Sequence, residues 1–330
     1  MNTKIKWLES LRGISCLIVL LAHILSTHPL YGMYASGCGK IGVWIFMILS
    51  GFFLLLPYTK TEKSFQFKDI IPFYLKKIIK LYPIYAIAIF MTYRFGFIMD
   101  TKGIIEHLTF QAAWGHLWYM PVIMKFYLIA PLFLLLFSIF KKLFKKNWNL
   151  SYIILLFIIC GFFSIKYHYS TYIENSCDLK WYLPVFIFGM ITVLLYSLSK
   201  EHLHDSIIYD ILALICIVMI IIQTPLFRKL LWGFEPSGYL QNQYLYIGLF
   251  CSVFLFTASF GKIFTKLLDK SKILQKCGEY SFYIYLVHFI ILIKLRAMYP
   301  DFSQRAAITI TSSIGFAIIF KYIQDMLKKS

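Results

Sequence analysis

Two residues in the first apolar stretch of the chain, Arg12 and His23, have side-chain types and a spacing that could do chemistry. They are eleven residues apart, which in a helix places them about 20° from the same face and roughly 16 Å apart along the axis. A histidine can act as a general base near neutral pH, and an arginine can hold a phosphate through charge-assisted hydrogen bonds. A donor held by its phosphate at Arg12 and reacting at His23 needs a long flexible arm, such as the pantetheine arm of acyl-coenzyme A.

Each of the two residues also has a structural interpretation. Arg12 could anchor the helix at the membrane surface by extending to lipid headgroups, and His23 could form an interhelical hydrogen bond. Ionisable side chains inside a membrane span are costly and usually face a partner or a cavity. They are therefore the first candidates for a functional site.

The composition indicates that these residues lie within a membrane. Of the 330 residues, 60% are hydrophobic and 15% charged, and the mean hydropathy is +0.72. Soluble domains are nearer 45–50% apolar, with about 25% charged residues. The sequence predicts an all-α, polytopic helical membrane protein of about ten transmembrane helices. The predicted spans are residues 11–27, 41–58, 81–99, 118–140, 150–166, 181–198, 207–224, 243–261, 281–299 and 305–323.

The net charge of +18 specifies orientation rather than a partner. Basic residues concentrate in the segments on one side of the predicted spans, namely 1–10, 59–80, 141–149, 199–206, 262–280 and 324–330. These segments hold 20 of the 33 Lys and Arg residues, against 7 in the loops of the opposite side or at the span ends that border them. By the positive-inside rule, both termini are predicted in the cytoplasm. This distribution argues against nucleic acid as a partner.

No predicted extramembrane segment exceeds about 22 residues, which leaves no room for a soluble catalytic domain. We therefore expect residues 1–330 to form a single integral-membrane domain with no soluble domain appended. The seven cysteines show no zinc or redox spacing, and no metal site is predicted.

Five segments, in chain order, carry the motifs of one known family. They are ESLRG at residues 9–13 with His23, GVWIFMILSGF at 42–52, KKIIKLYP at 76–83, HLWY at 116–119 and YSFYIYLVH at 280–288. Together they resemble the acyltransferase 3 family of integral-membrane O-acyltransferases, whose first span carries an arginine and a histidine separated by ten residues. The matching segments run from residue 9 to residue 288 and so cover most of the chain.

The resemblance implies a role for each matching residue. Arg12 and His23 would be catalytic. The acyl-coenzyme A donor, with no metal, would be bound by Arg12, Ser50, Lys76, Lys77 and Lys80. The acceptor would be bound by Glu9, His116, Trp118, Tyr119, Tyr285 and His288.

The chain also departs from the family pattern. The basic segment has three lysines where the family often has arginines, and a lysine cannot make a bidentate contact to phosphate. Glu9 stands where aspartate is usual. Some members carry an additional hydrolase-like domain, which is not seen in this sequence.

Several of these residues have structural alternatives. Ser50 precedes Gly51, a residue typical of close helix packing. The three lysines could set topology or bind anionic lipid. His116 and its aromatic neighbours could belong to the aromatic belt at the outer membrane surface. His288, which we expect about one-third of the way from the inner side, could form a structural hydrogen bond.

Taken with the resemblance, these features predict an O-acyltransferase in a cell membrane, either the bacterial inner membrane or a plasma membrane. An acyl group, with acetyl as the leading choice, would pass from cytoplasmic acyl-coenzyme A to a hydroxyl of a cell-surface or lipid-linked saccharide. His23 would deprotonate the hydroxyl or first carry the acyl group itself. The alternative is a polytopic transporter or flippase for a glycan or lipid-linked intermediate, without covalent chemistry.

Overall fold

The computed structural model of the chain describes residues 5–59, 64–144, 147–168, 175–233 and 243–327. Within these ranges the protein is helical and contains no strand. The helices are α1 (Lys6–Leu25), α2 (Gly32–Ala35), α3 (Gly39–Thr59), α4 (Ile70–Arg94), α5 (Thr101–Leu108), α6 (Tyr119–Leu143), α7 (Trp148–His168), α8 (Leu179–Ser199), α9 (Ile207–Ile222), α10 (Pro225–Trp232), α11 (Tyr244–Ala258), α12 (Phe264–Lys270), α13 (Lys272–Arg296) and α14 (Phe302–Leu327). Short 3₁₀ helices, Phe67–Asp69 and Gly115–Trp118, precede α4 and α6.

Each of the ten predicted spans coincides with one of the longer helices. The largest shift is at α4, which begins at Ile70 and not at residue 81. Lys76, Lys77 and Lys80 therefore lie on a helix and not in the loop that the sequence predicts before it. The apolar run marks only the second half of α4, because the three lysines interrupt its first half.

Seven of the described helices are long and apolar enough to cross a membrane: α1, α3, α6, α7, α8, α13 and α14. The α9 helix could form an eighth span only with α10, from which it is bent by 81°. The apolar helix α11 has 15 residues, and the lysines of α4 keep it outside this group. The architecture is that of a multi-pass helical membrane protein, while the count of ten crossings and the cytoplasmic location of both termini stay predictions.

The α1 helix packs along α13 and α3, and α13 also packs along α14. The backbones of α1 and α13 approach closely at a pair of glycines. A Cβ at Gly13 would lie 2.1 Å from the carbonyl oxygen of Leu274, and a Cβ at Gly278 would lie 2.0 Å from that of Glu9. Only glycine allows this separation, so the pair brings together the two helices that carry His23 and His288.

Gly51 of α3 makes a similar approach to α8. A Cβ on Gly51 would lie 2.0 Å from the carbonyl oxygen of Phe186, and one on Gly189 would lie 1.9 Å from that of Ile48. The packing interpretation of Gly51 is confirmed. The ring of the same Phe186 stacks on Phe126 of α6 with centroids 4.0 Å apart, and α3, α6 and α8 share this part of the core.

The segment between α4 and α6 turns back into the bundle. The Tyr85 hydroxyl of α4 donates a hydrogen bond to the carbonyl of His107, at 2.9 Å. Phe110 and Gly115 adopt positive φ angles of 63° and 54°, and at Gly115 a Cβ would lie 2.9 Å from the ring of Phe289. Glycine is required there both by the backbone conformation and by the ring. The turn delivers His116 to the side of α13.

Candidate active site

Three histidines from separate parts of the chain meet inside the bundle. His23 comes from α1, His116 from the 3₁₀ helix before α6, and His288 from the middle of α13. The ring centroids of His23 and His288 are 5.1 Å apart, those of His116 and His288 4.8 Å, and those of His23 and His116 6.3 Å. His116 and His288 are buried, with 3% and 0% exposure, and His23 is partly buried. We call these three residues the histidine cluster.

Hydrogen bonds assign the proton positions on two of these rings. Nδ1 of His288 lies 3.0 Å from the carbonyl oxygen of Ile284 and 2.8 Å from that of Tyr285. Carbonyl oxygens only accept, so this nitrogen carries the proton and Nε2 of the neutral ring is an acceptor. Nε2 is 3.0 Å from Nδ1 of His23, which must then donate. In the neutral ring of His23, the proton is on Nδ1 and Nε2 has a free lone pair.

His116 is held at both its ring and its backbone. Its Nε2 donates to the carbonyl oxygen of Leu286 at 3.2 Å, and its own carbonyl accepts from the Tyr285 hydroxyl. Its Nδ1 is buried and has no hydrogen-bond partner in the described structure. The aromatic-belt interpretation of His116 is therefore wrong, because the turn after α5 brings it level with the middle of α13.

Aromatic rings that sequence reasoning missed enclose the histidine cluster. The Phe289 ring lies 4.9 Å from His23 and 5.3 Å from His116, centroid to centroid. Trp114 packs against Phe289 at 5.6 Å and stacks on Phe97 at 4.5 Å. Phe289 could have been suspected because it directly follows His288 in the sequence. Trp114 lies in a connecting segment, and no motif or spacing pointed to it. These rings keep the site apolar on one side.

A cavity of about 480 Å³ extends between α1, α3, α4, α6, α13 and α14. This volume lies in the usual range for small-molecule sites, about 300–1,000 Å³. At one end its walls carry charged side chains, namely Arg12, Glu9, Lys80, Glu279, Lys321 and Asp325. We call this end the charged mouth. The other end is lined by hydroxyl-bearing and apolar side chains, including Ser50, Tyr119 and Tyr285.

Ion pairs hold two of the three cations of the charged mouth in place. Arg12 pairs with Glu9 at 3.5 Å and stacks over the Phe53 ring at 4.6 Å. Lys321 of α14 pairs with Glu279, which also accepts from Lys276 at 3.0 Å. Lys321 and Glu279 were missed from the sequence. A rule that examines every ionisable residue in a predicted span would have flagged Lys321, which lies in the tenth.

The inner end of the cavity is lined by Tyr119 and Tyr285, and Tyr285 lies between it and the histidine cluster, none of whose residues lines the cavity. The rings of Tyr119 and Tyr285 face each other with centroids 5.7 Å apart. Tyr285 lies 5.3 Å from the His116 ring and 6.0 Å from the His288 ring. Ser50 donates to the carbonyl of Phe46 in its own helix, at 2.7 Å, and lines the wall between mouth and tyrosines.

Six of the residues singled out from the sequence do not line this cavity in the described structure, namely the three histidines of the cluster, Lys76, Lys77 and Trp118. Lys77 sits over the Tyr127 ring at 3.8 Å and lines a separate apolar groove between α4 and α6. Lys76 is exposed and lines neither space. Trp118 packs against Tyr182 of α8 at 5.0 Å. Of the three lysines of the basic segment, Lys80 is the one that the cavity includes.

No group of three or more His, Cys, Asp or Glu side chains in the described ranges is arranged to hold a metal ion. The functional groups of the site are imidazoles, hydroxyls, cations and the carboxylates beside the cations. An imidazole with a free nitrogen can take a proton from a hydroxyl or attack a carbonyl carbon, and the cations can bind phosphate.

A multi-pass helical bundle with such a site inside it is typical of membrane proteins that bind their substrates between their transmembrane helices. Comparison with known families narrows the class. A family model described as an acyltransferase domain matches residues 5–323, nearly the whole chain. The chain belongs to the acyltransferase 3 family, as its motifs suggest, and the family indicates an acyltransferase.

A curated relative shares part of the sequence. It is the Caenorhabditis elegans protein named regulator of hypoxia-inducible factor 1, which is 28% identical over 137 residues. The match covers 35% of this chain and 27% of the relative. No solved structure matches the chain significantly.

Proposed function

We propose that this protein transfers an acyl group, most simply acetyl, from cytoplasmic acyl-coenzyme A to a hydroxyl of a cell-surface or lipid-linked saccharide. The observation that carries the proposal is the continuity of one cavity. It begins at a mouth with three cations, passes hydroxyl-bearing walls and ends at Tyr285, whose ring packs against those of His116 and His288 at 5.3 and 6.0 Å. Such a cavity suits a donor with phosphates at one end and a reactive thioester at the other.

The charged mouth would bind the donor through its phosphates. Arg12, Lys80 and Lys321 would contact them, while Glu9 orients Arg12 and Glu279 orients Lys321. Arginine can offer two parallel donors to one phosphate, whereas the lysines act as point charges. The pantetheine arm would then lie along Ser50 and Tyr119, with the thioester close to Tyr285.

His23 would supply the chemistry through Nε2. In direct transfer, this nitrogen takes the proton of the acceptor hydroxyl as the oxygen attacks the thioester carbonyl. The carbon–sulfur bond breaks, and the coenzyme A thiolate leaves with that proton. In the covalent alternative, Nε2 attacks the carbonyl carbon first, the carbon–sulfur bond breaks and the coenzyme A thiolate leaves. The acceptor oxygen then attacks the acyl carbon, the Nε2–carbon bond breaks, and the hydroxyl proton passes to the thiolate. Both routes need a free lone pair on Nε2.

The proposal is tested by replacing His23 with Ala in cells and measuring the surface saccharide by mass spectrometry. We expect the saccharide units to lose the mass of one acyl group while the amount exported stays unchanged. His107→Ala removes a buried histidine outside the cluster and should leave the acyl group in place. Unchanged unit masses with reduced export in cells lacking this protein would instead support a transporter or flippase and overturn the proposal.

A further inference from the structure

We propose that His288 is a positioning residue that fixes the tautomer of His23 and thereby makes its Nε2 the reactive nitrogen. This inference rests on the proposed acyl transfer and assigns to His288 a role that differs from acceptor binding. Three hydrogen bonds and the full burial of the His288 ring carry it.

The orientation of the His288 ring is determined by its own helix. Nδ1 faces the carbonyl oxygens of Ile284 and Tyr285, three and four residues earlier in α13. Both oxygens are acceptors, so a bare Nδ1 would face two lone pairs without a proton between them. The ring is fully buried and is packed between His23 and His116. Its Nε2 is therefore presented to His23 as an acceptor.

The second step follows from the distance of 3.0 Å between this Nε2 and Nδ1 of His23. A neutral imidazole carries one proton, and the partner of one nitrogen decides which nitrogen holds it. With His288 present, the proton is on Nδ1 and the lone pair on Nε2. Without His288, the backbone carbonyl of Val19 in α1 is the remaining partner of the His23 ring. The tautomer protonated on Nε2 then competes, and in that tautomer Nε2 has no lone pair with which to act as a base.

The same hydrogen bond helps when positive charge develops on His23. As Nε2 takes a proton or an acyl group, the Nδ1–H becomes a stronger donor, and Nε2 of His288 accepts from it. His288 remains bound to both carbonyl oxygens throughout. The effect belongs to the transition state, so it should change kcat and leave the binding of the donor unchanged.

Substitutions of His288 by Gln and Asn separate this role from simple packing. The terminal amide of Gln reaches the position of Nε2 in a histidine and can present its oxygen to His23. The shorter amide of Asn reaches only the position of Nδ1. If His288 were needed only for its volume, the activity of the protein would not depend on which ring nitrogen the amide replaces.

The experiment measures acetyl transfer from acetyl-coenzyme A to surface polysaccharide extracted from the source organism, using the purified full-length protein. We expect His288→Ala and His288→Asn to lower kcat by about 100-fold or more, since a misplaced tautomer costs up to about 10⁴-fold in a serine protease triad. The KM for acetyl-coenzyme A should stay within about twofold. His288→Gln should remain within about tenfold of the native kcat, and His107→Ala should leave kcat unchanged.

Two results would overturn the inference. One is a native-like kcat in His288→Ala. The other is a His288→Gln protein as inactive as His288→Ala, although it elutes as a single species and binds coenzyme A. If the His288→Ala protein does not fold, the difference in kcat between His288→Gln and His288→Asn is sufficient to test the inference. If the native protein transfers no acetyl group at all, the proposed function fails, and this outcome is distinguishable from failure of the tautomer inference.

Discussion

His23 is a useful base in only one of its two neutral tautomers, and residues far from it in the chain select that tautomer. Its spacing from Arg12 predicts that both residues lie on one helix, and α1 confirms this. Its hydrogen bond to His288 joins residues 265 positions apart. No local pattern predicts such a pair, because it depends on the packing of α1 against α13. The sequence could name the histidines but could not show which of them is the partner of His23.

Two lysines of α4 differ in their position relative to the cavity. Lys80 lines the cavity, whereas Lys76 is exposed outside it. Removing a charge-assisted contact to phosphate costs about 1.5–3 kcal/mol, which is roughly tenfold or more in affinity. We expect Lys80→Gln to raise the KM for acyl-coenzyme A about tenfold with little change in kcat, and Lys76→Gln to raise it much less. An equal rise in both variants would place the donor phosphates on the outer face of α4.

At the scale of elements, apolar runs predicted the positions of ten helices but not the path of the segments between them. Hydropathy reports which stretches avoid water, and the turn from α5 into α6 has no such stretch. That turn depends instead on two positive φ angles and on Tyr85. His116 was placed at the membrane surface for this reason. The close contact of α1 and α13 could likewise not be predicted, because a single glycine in an apolar run does not show which helix, if any, packs against it.

Gly115 tests the turn that positions His116. Gly115 and Gly96 both have positive φ angles, 54° and 79°, so an alanine at either position costs about 1–2 kcal/mol in the backbone. Only at Gly115 does the new Cβ also meet the Phe289 ring. We expect Gly115→Ala to lower acyl transfer at least tenfold and Gly96→Ala to leave it nearly unchanged at a temperature where both are folded. Similar activities in the two variants would show that the position of this turn is unimportant.

Gly278 tests the contact between α1 and α13. A Cβ there would lie 2.0 Å from the carbonyl oxygen of Glu9, so the helices must separate. Overpacking of this kind costs about 1–3 kcal/mol. We expect Gly278→Ala to lower the thermal midpoint in detergent. Gly315→Ala is the control, because no atom lies within 4 Å of the new Cβ. In that variant the better helix propensity of alanine should preserve or raise the midpoint, and an equal loss in both would contradict the packing argument.

At the scale of the whole molecule, the charged mouth lies at the end of the cavity toward the first turns of α1 and α13 and the last turns of α14. The positive-inside rule predicts that this end faces the cytoplasm. The histidine cluster lies further along the same helices, and the turn after α5 reaches it from the opposite direction. This arrangement would let the donor and the acceptor approach His23 from different sides of the membrane.

The orientation of the protein in the membrane can be measured with single cysteines introduced into a variant that lacks the seven native cysteines. Lys266 of α12 and Lys102 of α5 are both exposed. We expect a membrane-impermeant maleimide added to intact cells to label Lys102→Cys and not Lys266→Cys. In inverted vesicles the two labelling results should be exchanged. The reverse pattern would place the charged mouth outside and remove its access to cytoplasmic acyl-coenzyme A.

We propose that the donor binds at the charged mouth and that the acyl group is transferred at the histidine cluster, and one pair of measurements on purified His23→Ala tests this separation most directly. Calorimetric titration with coenzyme A should give the native affinity, because the charged mouth is intact. Transfer of radiolabelled acetyl from acetyl-coenzyme A to the saccharide should fall to the background rate. Acetyl transfer at the native rate by this variant would contradict the account.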